Sequence, residues 1–485
     1  MQANHRLPVP QDDEALLRIA IVGGGIVGVS LTLGLLRLPN IQVKLYEQAS
    51  TLREIGAGVA FTTNAQRCME LLSPDVIASM RAVSTKNEDP YYTYVDGYHS
   101  PEVPEGQKKS KHDDMKETQL FRLFAGNTGF DACHRAHFLD EMVKHLPESV
   151  VQFRKRLVMY EKRGDEYVLR FEDGSLDTAD AIIGCDGIKS RVRQVLLGVD
   201  NPASYPGFTH QVAFRGLIRM GRAVEVLGKD KAHNQCMHMG PGAHMLNFPV
   251  AQHTLMNVVA FGAQAEEWTH EKMVAPASRE EVLEIFRGWC PAVTAIAGLL
   301  GEVLDEDGVS TRASLDKWAI FDTYDNPAPT YADGCVCIAG DAAHATSPHH
   351  GAGAGMGIED GLALATVFEQ AIKTLHGQPE VRGTSKSEVV SAAFAAYNRV
   401  RRDRTQWLVR SSREVSRTYE WANPDCGMDP EKCLKDIEWR AHKIWYFDID
   451  GMIKELASSY RHFLSLGSSP FRGTEQQAND FIKLL

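Results

Sequence analysis

The turn Gly23–Gly28 constrains this chain most, because of what stands on either side of it. Arg18–Val22 (RIAIV) reads as a short buried strand, Gly23, Gly25 and Gly28 fit G-x-G-x-x-G, and Ile26–Leu38 carries apolar residues at helical spacing. Strand, tight turn and helix therefore follow in the order a pyrophosphate site requires. Glycine permits the turn and the close backbone approach, and the helix start offers unpaired N–H groups to an anion. A second strand, Gln42–Tyr46, ends at Glu47, 19 residues after Gly28. A carboxylate there can accept hydrogen bonds from a free ribose diol, which suits the adenosine of FAD or NAD. This unit alone does not choose between them.

The choice comes from Cys335–Gly361, CVCIAGDAAHATSPHHGAGAGMGIEDG, more than 300 residues later. Val336–Ala339 reads as a buried strand ending at Gly340-Asp341, and a helix patterned by Ile358, Leu362, Ala365, Phe368 and Ile372 is expected to begin near Gly357. Between them, Gly351–Gly355 leaves backbone amides bare. Such amides stabilise negative charge on the pyrimidine side of a reduced flavin, while Asp341 suits the ribityl or phosphate region. Two segments so far apart, each suited to one half of a long cofactor, point to FAD.

In this segment the chain resembles the group A flavoprotein monooxygenases, the salicylate-hydroxylase-like or para-hydroxybenzoate-hydroxylase-like family, whose third motif is present as Gly184-Cys185-Asp186-Gly187-Ile188-Lys189-Ser190-Arg191. The resemblance implies an α/β fold: a Rossmann-like FAD-binding domain with an inserted, mainly antiparallel β substrate domain and C-terminal helices. It implies FAD as cofactor, NAD(P)H as co-substrate with NADPH favoured, and O2. The reactive species in the family is a C4a-hydroperoxyflavin, whose distal oxygen is electrophilic and attacks an electron-rich ring. It also adds Ala60, Arg135 (in Cys133–Leu139), Asp186, Gly353 and Ala354 to the cofactor candidates Gly23, Gly25, Gly28, Glu47 and Asp341.

The division expected is residues 18–202 for the first part of the FAD domain, 203–325 for the substrate sheet, 326–420 for the second FAD part and 421–485 for a helical C-terminal region. Residues 101–116 are polar and charged and read as a surface excursion. Val151–Tyr160, Tyr167–Phe171 and Ala181–Gly184 read as strands, with a hairpin turn at Asp173-Gly174. Phe208–Met220, Asn234–Met239, His244–Val250 and Thr254–Phe261 read as the substrate sheet. Within it, Arg215 shares a face with Ala213 and Leu217 by period-2 alternation. An arginine among apolar neighbours is costly unless paired. It either meets a carboxylate of the fold or binds substrate phenolate, and as the leading catalytic candidate it is assigned the second role.

A closer resemblance is to the fungal oxidative dearomatases acting on polyketide resorcinols and orcinaldehydes, carried by Phe214-Arg215-Gly216-Leu217, Met239-Gly240-Pro241, Pro249-Val250-Ala251, Phe321-Asp322-Thr323-Tyr324-Asp325 and Ser347–Gly353. It implies dearomatising hydroxylation in fungal secondary metabolism, with simple or salicylate-like decarboxylative hydroxylation as the alternative. That subgroup pairs the arginine with a tyrosine 33 residues on, where this chain has Phe248. Phenylalanine can pack on a ring and cannot donate to a phenolate. His238, His244 and a tyrosine of Tyr91–Tyr98 are the replacement candidates.

Composition sets the exclusions. A formal net charge of −11 argues against nucleic acid or an anionic membrane as partner. No stretch reaches the roughly 18 apolar residues of a membrane span, and the start, with Asp12, Asp13 and Glu14, does not resemble a secretory signal. A cytoplasmic protein with nine scattered, buried thiols is expected. Arg399, Arg401, Arg402 and Arg404 read as a solvated or flavin-supporting face. The aromatic tail (Trp439, Trp445, Tyr446, Phe447) is suited to pack on the body or in a homodimer. His344, His349 and His350 lack zinc spacing, so no metal site is expected.

Overall fold

The computed structural model describes residues 17–52, 58–101, 115–126, 131–304, 310–312, 315–376 and 384–466. The surface excursion expected at 101–116 and the end of the C-terminal region fall largely outside them.

The N-terminal strand Leu17–Val22 is buried on both faces and pairs in parallel with Ile41–Glu47 on one side and Ala181–Gly184 on the other. Val336–Ile338 joins in parallel beyond Ala181–Gly184, Val151–Phe153 beyond Ile41–Glu47, and the antiparallel Ala332–Asp333 closes the edge of this six-stranded sheet. The apolar runs of the central strands Leu17–Val22, Ala181–Gly184 and Val336–Ile338 follow from helices covering both faces. The helix Ile26–Leu35 is buried almost all round, between the sheet and the long helix Gly353–Leu375. The chain thus brings Gly23–Gly28 and Gly340–Ala354 to the same edge of the sheet, at the carboxyl ends of its strands, where open α/β sheets bind ligands.

A second sheet of eight strands runs in the order Val274–Ala277, Leu315–Asp322, Gly207–Arg219, Leu255–Ala263, Ala243–Val250, Cys236–Gly240, Tyr91–Asp96, Thr118–Phe124. All its pairings are antiparallel except that of Cys236–Gly240 with Tyr91–Asp96. The last two strands, Tyr91–Asp96 and Thr118–Phe124, come from the stretch assigned to the first FAD part. One face packs on the helices Arg279–Ile285 and Pro291–Leu299 through Phe214, Met245, Val258 and Ile296. The opposite face carries Arg215, Phe261, His244 and Phe248 towards the cofactor domain and the C-terminal helices.

Local departures from the expected elements have clear causes. The single strand expected over Val151–Tyr160 is two, Val151–Phe153 and Leu157–Arg163, in different sheets. Arg154 between them adopts a left-handed φ of 58°, and the amide of Lys155 turns back to donate to the Glu47 carbonyl at 2.9 Å. The helix expected from Gly357 begins at Gly353, since its glycines pack against Ala65 and Val27 and keep helical backbone. Asp173-Gly174 makes the expected turn, with Gly174 at φ 81°.

The C-terminal part is one 34-residue helix, Lys386–Tyr419, started by a Ser385/Glu388 capping box, then Pro430–Trp445 and Ile449–Ser465. Of the tail aromatics, Trp445 is buried edge-on against Tyr92, while Trp439 and Tyr446 are exposed. All nine cysteines are free and buried. No helix among the described residues is long and apolar enough to cross a membrane.

Candidate functional site

A cleft of about 490 Å³ opens along the carboxyl edge of the parallel sheet, and both glycine-rich segments line it. Gly23, Gly25, Glu47, Arg135, Asp186, Asp341, Gly353 and Ala354, all expected at the cofactor, lie on its wall. Gly23 must be glycine twice over: its φ is 106°, and a Cβ would fall 2.4 Å from the Cys185 carbonyl oxygen. Gly28 does not line the cleft. A Cβ there would come within 2.0 Å of the Gly23 carbonyl, so its work is to let the helix pack under the turn. Ala60 also lies off the cleft, on the strand Gly58–Phe61 paired with Ala132, beside the cluster that holds Phe248.

The cleft suits FAD by the chemistry of its walls. The helices starting at Ile26 and Gly353 both lack a side-chain cap and any acidic residue in their first turn, so their leading N–H groups are open to an anion. Glu47 accepts from the amides of Gly24 at 2.8 Å and Ala49 at 2.7 Å, which fixes its carboxylate beside the turn. Asp341 is exposed into the cleft at the start of the helix Asp341–His344. Lys155, Arg156, Lys189 and Arg191 join Arg135 on the wall, giving a cationic lining in an acidic chain. Asp186 is committed elsewhere. Its carboxylate accepts from Ser190 Oγ and from the amides of Arg191 at 2.6 Å and Val192 at 3.1 Å, capping the helix Arg191–Leu197. Burial pushes its pKa up despite those bonds.

Beneath the Gly340-Asp341 turn lies a buried ionic cluster not foreseen from sequence. Arg401 donates to Glu359 at 2.6 Å and Asp360 at 2.8 Å, Arg404 donates twice to Glu359 at 2.7 and 2.8 Å, and Asn64 donates to Glu359 at 2.7 Å. Asp360 also accepts from the amide of Gly340 at 3.0 Å and is bonded to His344. Burial alone would raise the Asp360 pKa, but His344 and Arg401 outweigh it and hold it at about 2. Arg401 and Arg404 are therefore buried supports of the turn, not a solvated face. The signal was available: Glu359 and Asp360 interrupt an apolar helix, and buried acids need cations. Arg193 supports the same turn from the other side, donating to the carbonyls of Ala342 and Ala343 at 3.1 and 2.9 Å.

The sheet face opposite the cleft holds Arg215. Its guanidinium lies over the Trp318 ring, 5.0 Å from the centroid. Its Nε is buried without a hydrogen-bond partner, and no carboxylate among the described residues pairs with it. Burial, and then the nearby charge of Arg135, push its pKa down to about 10. Phe248 is on the same face two strands away, through the registers Leu217↔Asn257 and Phe248↔Asn257, and is 4% exposed with its ring edge against Gly58.

The replacement donors for Phe248 separate by alternation. His238 points to the other face, where it bonds Glu117 at 2.6 Å and Asn247 at 2.8 Å, so it is no pocket donor. His244 faces the pocket side, stacked on Phe261 at 4.4 Å. Both its nitrogens are engaged, in a ring formed by Glu420 at 3.1 Å, His349 at 3.3 Å, and Gln211, which bonds His349 at 2.9 Å and donates to Glu420 at 2.7 Å. Tyr94 is stacked on Phe121 and clusters with Phe248 on this face. The three loop histidines part ways, His344 to Asp360, His349 to His244 and His350 to Ser411.

Residues 296–388 match the family model described as an FAD binding domain. The FAD-dependent monooxygenase pigN of Monascus ruber is 47% identical over 461 residues, covering 94% of this chain and all of that protein. Salicylate hydroxylase asL1 of Sarocladium schorii is 44% identical over 468 residues, covering 93% and 92%. Among solved structures, a salicylate hydroxylase substrate complex superposes with a TM-score of 0.74 at 28% identity, over 92% of this chain and 98% of that one.

Proposed function

This chain belongs to the salicylate-hydroxylase-like group A FAD-dependent monooxygenases, and from that membership we propose that it hydroxylates a phenolic, polyketide-derived resorcinol or benzaldehyde ring with oxidative dearomatisation. The electrons come from NADPH and the oxygen atom from O2; the second oxygen atom leaves as water. FAD, once bound, supplies the activated oxygen, which is chemistry no protein side chain offers. Gly23, Gly25 and Glu47 would hold its adenosine half, Arg135 its phosphate or ribityl region, and Asp341 with the amides of Gly353 and Ala354 its flavin half.

Arg215 carries the substrate reading. A half-buried cation whose Nε is buried and unpartnered, with no described carboxylate beside it, calls for an anion from outside. A phenolate meets that need. A cation within about 4–6 Å lowers a phenol's pKa by roughly 1–3 units, so an acyl phenol, more acidic than tyrosine, ionises near neutral pH and its ring becomes electron-rich. The His244/His349/Gln211/Glu420 ring and Phe261 then wall the ring in.

The names of asL1 and of the solved relative support a second reading, in which Arg215 pairs with a salicylate carboxylate that is lost on hydroxylation. One experiment separates them: purified protein with NADPH and O2, offered acyl resorcinols and salicylates, with products identified by NMR and released CO2 measured. Phenol-dependent NADPH consumption giving a dearomatised product supports the first. Decarboxylated catechols establish the second, and NADPH consumption without organic product refutes both.

A further inference from the structure

Where the hairpin turn Ala251–Thr254 meets the segment Asn87–Asp89 and the end of the short helix Lys229–Ala232, three ligating side chains converge. One ligand atom each from Glu88, His233 and His253 lies within 4.8 Å of the other two. The two imidazoles stack at 5.0 Å with 16° between planes, and the Nδ1 of each is buried without a hydrogen-bond partner. The approach of His233 Nδ1 to Glu88 at 3.1 Å is an ion-pair distance lacking hydrogen-bond alignment.

We propose that Glu88, His233 and His253 form a site for a divalent transition-metal ion of the zinc class. Two imidazole nitrogens and a carboxylate oxygen are a zinc donor set, with the fourth position left to water. His253 is already prepared for it. Its Nδ1 is buried without a hydrogen-bond partner, so its lone pair is not committed within the fold.

The backbone is prepared as well. Ala251, Gln252 and His253 are consecutive non-glycine residues in left-handed conformation, at φ 50°, 52° and 60°. Such a run is costly and persists only where its surroundings hold it. Hydrogen bonds hold it here: Gln252 N to Thr85 Oγ1 at 2.8 Å, Gln235 N to Asn87 Oδ1 at 3.1 Å and Asp89 N to Asn234 Oδ1 at 2.8 Å tie the three contributing segments together. Metal–ligand bonds of about 2.0–2.2 Å set ligand atoms roughly 3.4 Å apart. Glu88 and His233 already meet that spacing at 3.1 Å, and side-chain rotation brings in the third ligand atom from within 4.8 Å. Lys229, 3.4 Å from Glu88, competes with the ion for the carboxylate. None of the three ligands lines the cofactor cleft, so the ion clasps the hairpin whose first strand carries Phe248 rather than joining the chemistry.

The test uses the FAD-loaded protein, stripped with a chelator and titrated with Zn2+ against a chromogenic indicator, and with Co2+ for its visible absorption. One saturable equivalent is expected, raising the melting temperature. His233→Ala, His253→Ala and Glu88→Gln should each weaken binding by about tenfold or more, Lys229→Gln should tighten it, and His210→Ala, at an exposed histidine elsewhere, should leave it unchanged. Glu88→Gln alters only an exposed side chain, so it decides the matter even if a histidine variant fails to fold. Absence of saturable binding, or binding indifferent to Glu88→Gln and the histidine changes, overturns the site.

Discussion

Two arginines, Arg401 fully buried and Arg215 half-buried, treat charge in opposite ways. Arg401, beneath the Gly340-Asp341 turn, has a carboxylate on either side, and although burial opposes its charge, Glu359 and Asp360 raise its pKa further. Arg215, on the substrate-side sheet, has no described carboxylate, and burial with Arg135 lowers its pKa to about 10. A compensated buried charge is part of the fold. An uncompensated one reserves a place for a ligand, and the fold bears its desolvation until that ligand arrives.

The contrast fails or sharpens under four changes. Arg401→Met should have the largest effect, because it leaves Glu359 and Asp360 buried and partly unpaired at a cost of about 3–5 kcal/mol; thermal melts should show severe destabilisation and loss of flavin. Arg215→Ala should keep its melting temperature and its FAD while catalytic efficiency falls about tenfold to a hundredfold or more, the loss of one charge-assisted hydrogen bond worth roughly 1.5–3 kcal/mol. A variant that instead unfolds or loses FAD with turnover intact would put Arg215 in the same class as Arg401.

Acid titration isolates the compensated cluster. The Asp360 pKa is depressed in the fold, from 3.8 to about 2, so its stabilisation is present above about pH 4 and is lost as pH falls towards 2. Flavin release and unfolding should therefore steepen over that window, and Asp360→Asn, destabilised at neutral pH, should lack the steepening. If both proteins titrate alike, the cluster does not govern acid stability.

Phe248→Tyr should have the smallest effect. The ring tip abuts Gly58, near the unpartnered Asn257 Nδ2, so an added hydroxyl crowds the strand and finds a partner there. FAD reduction should persist with slower turnover. A changed product enantiomer ratio would show instead that the hydroxyl reaches the substrate, and unchanged rate and stereochemistry would place Phe248 outside the pocket.

Much of the cofactor side was legible from the chain. The requirements of Gly23 are local: one φ value and one backbone approach force the residue type, so the residue reports the turn. The strands Gly207–Arg219 and Ala243–Val250 were legible within a residue or so, because both are rich in β-forming residues and Gly240-Pro241-Gly242 punctuates the chain before the second. The recruitment of Tyr91–Asp96 and Thr118–Phe124 into the same sheet was not, since pairing between distant segments leaves no periodic mark. Nor was the exclusion of His238 from the pocket, although its alternation with His244 across the hairpin is set by register: Met239, not His238, pairs with His244.

What the sequence by itself determined was the nature of the parts: the pyrophosphate turn, the second cofactor segment and an arginine on an apolar strand. Each follows from short-range rules in which a residue's chemistry and its near neighbours suffice. Only the tertiary structure decided which charges are compensated. Arg401 stands in a basic run and Arg215 among apolar residues, yet neither context tells a structural ion pair from a waiting site, because that depends on whether a carboxylate from another element arrives within about 4 Å. That distance is a property of the packed chain, since Coulomb attraction in a poorly polarisable interior acts on where groups lie in space and not on where they lie in sequence.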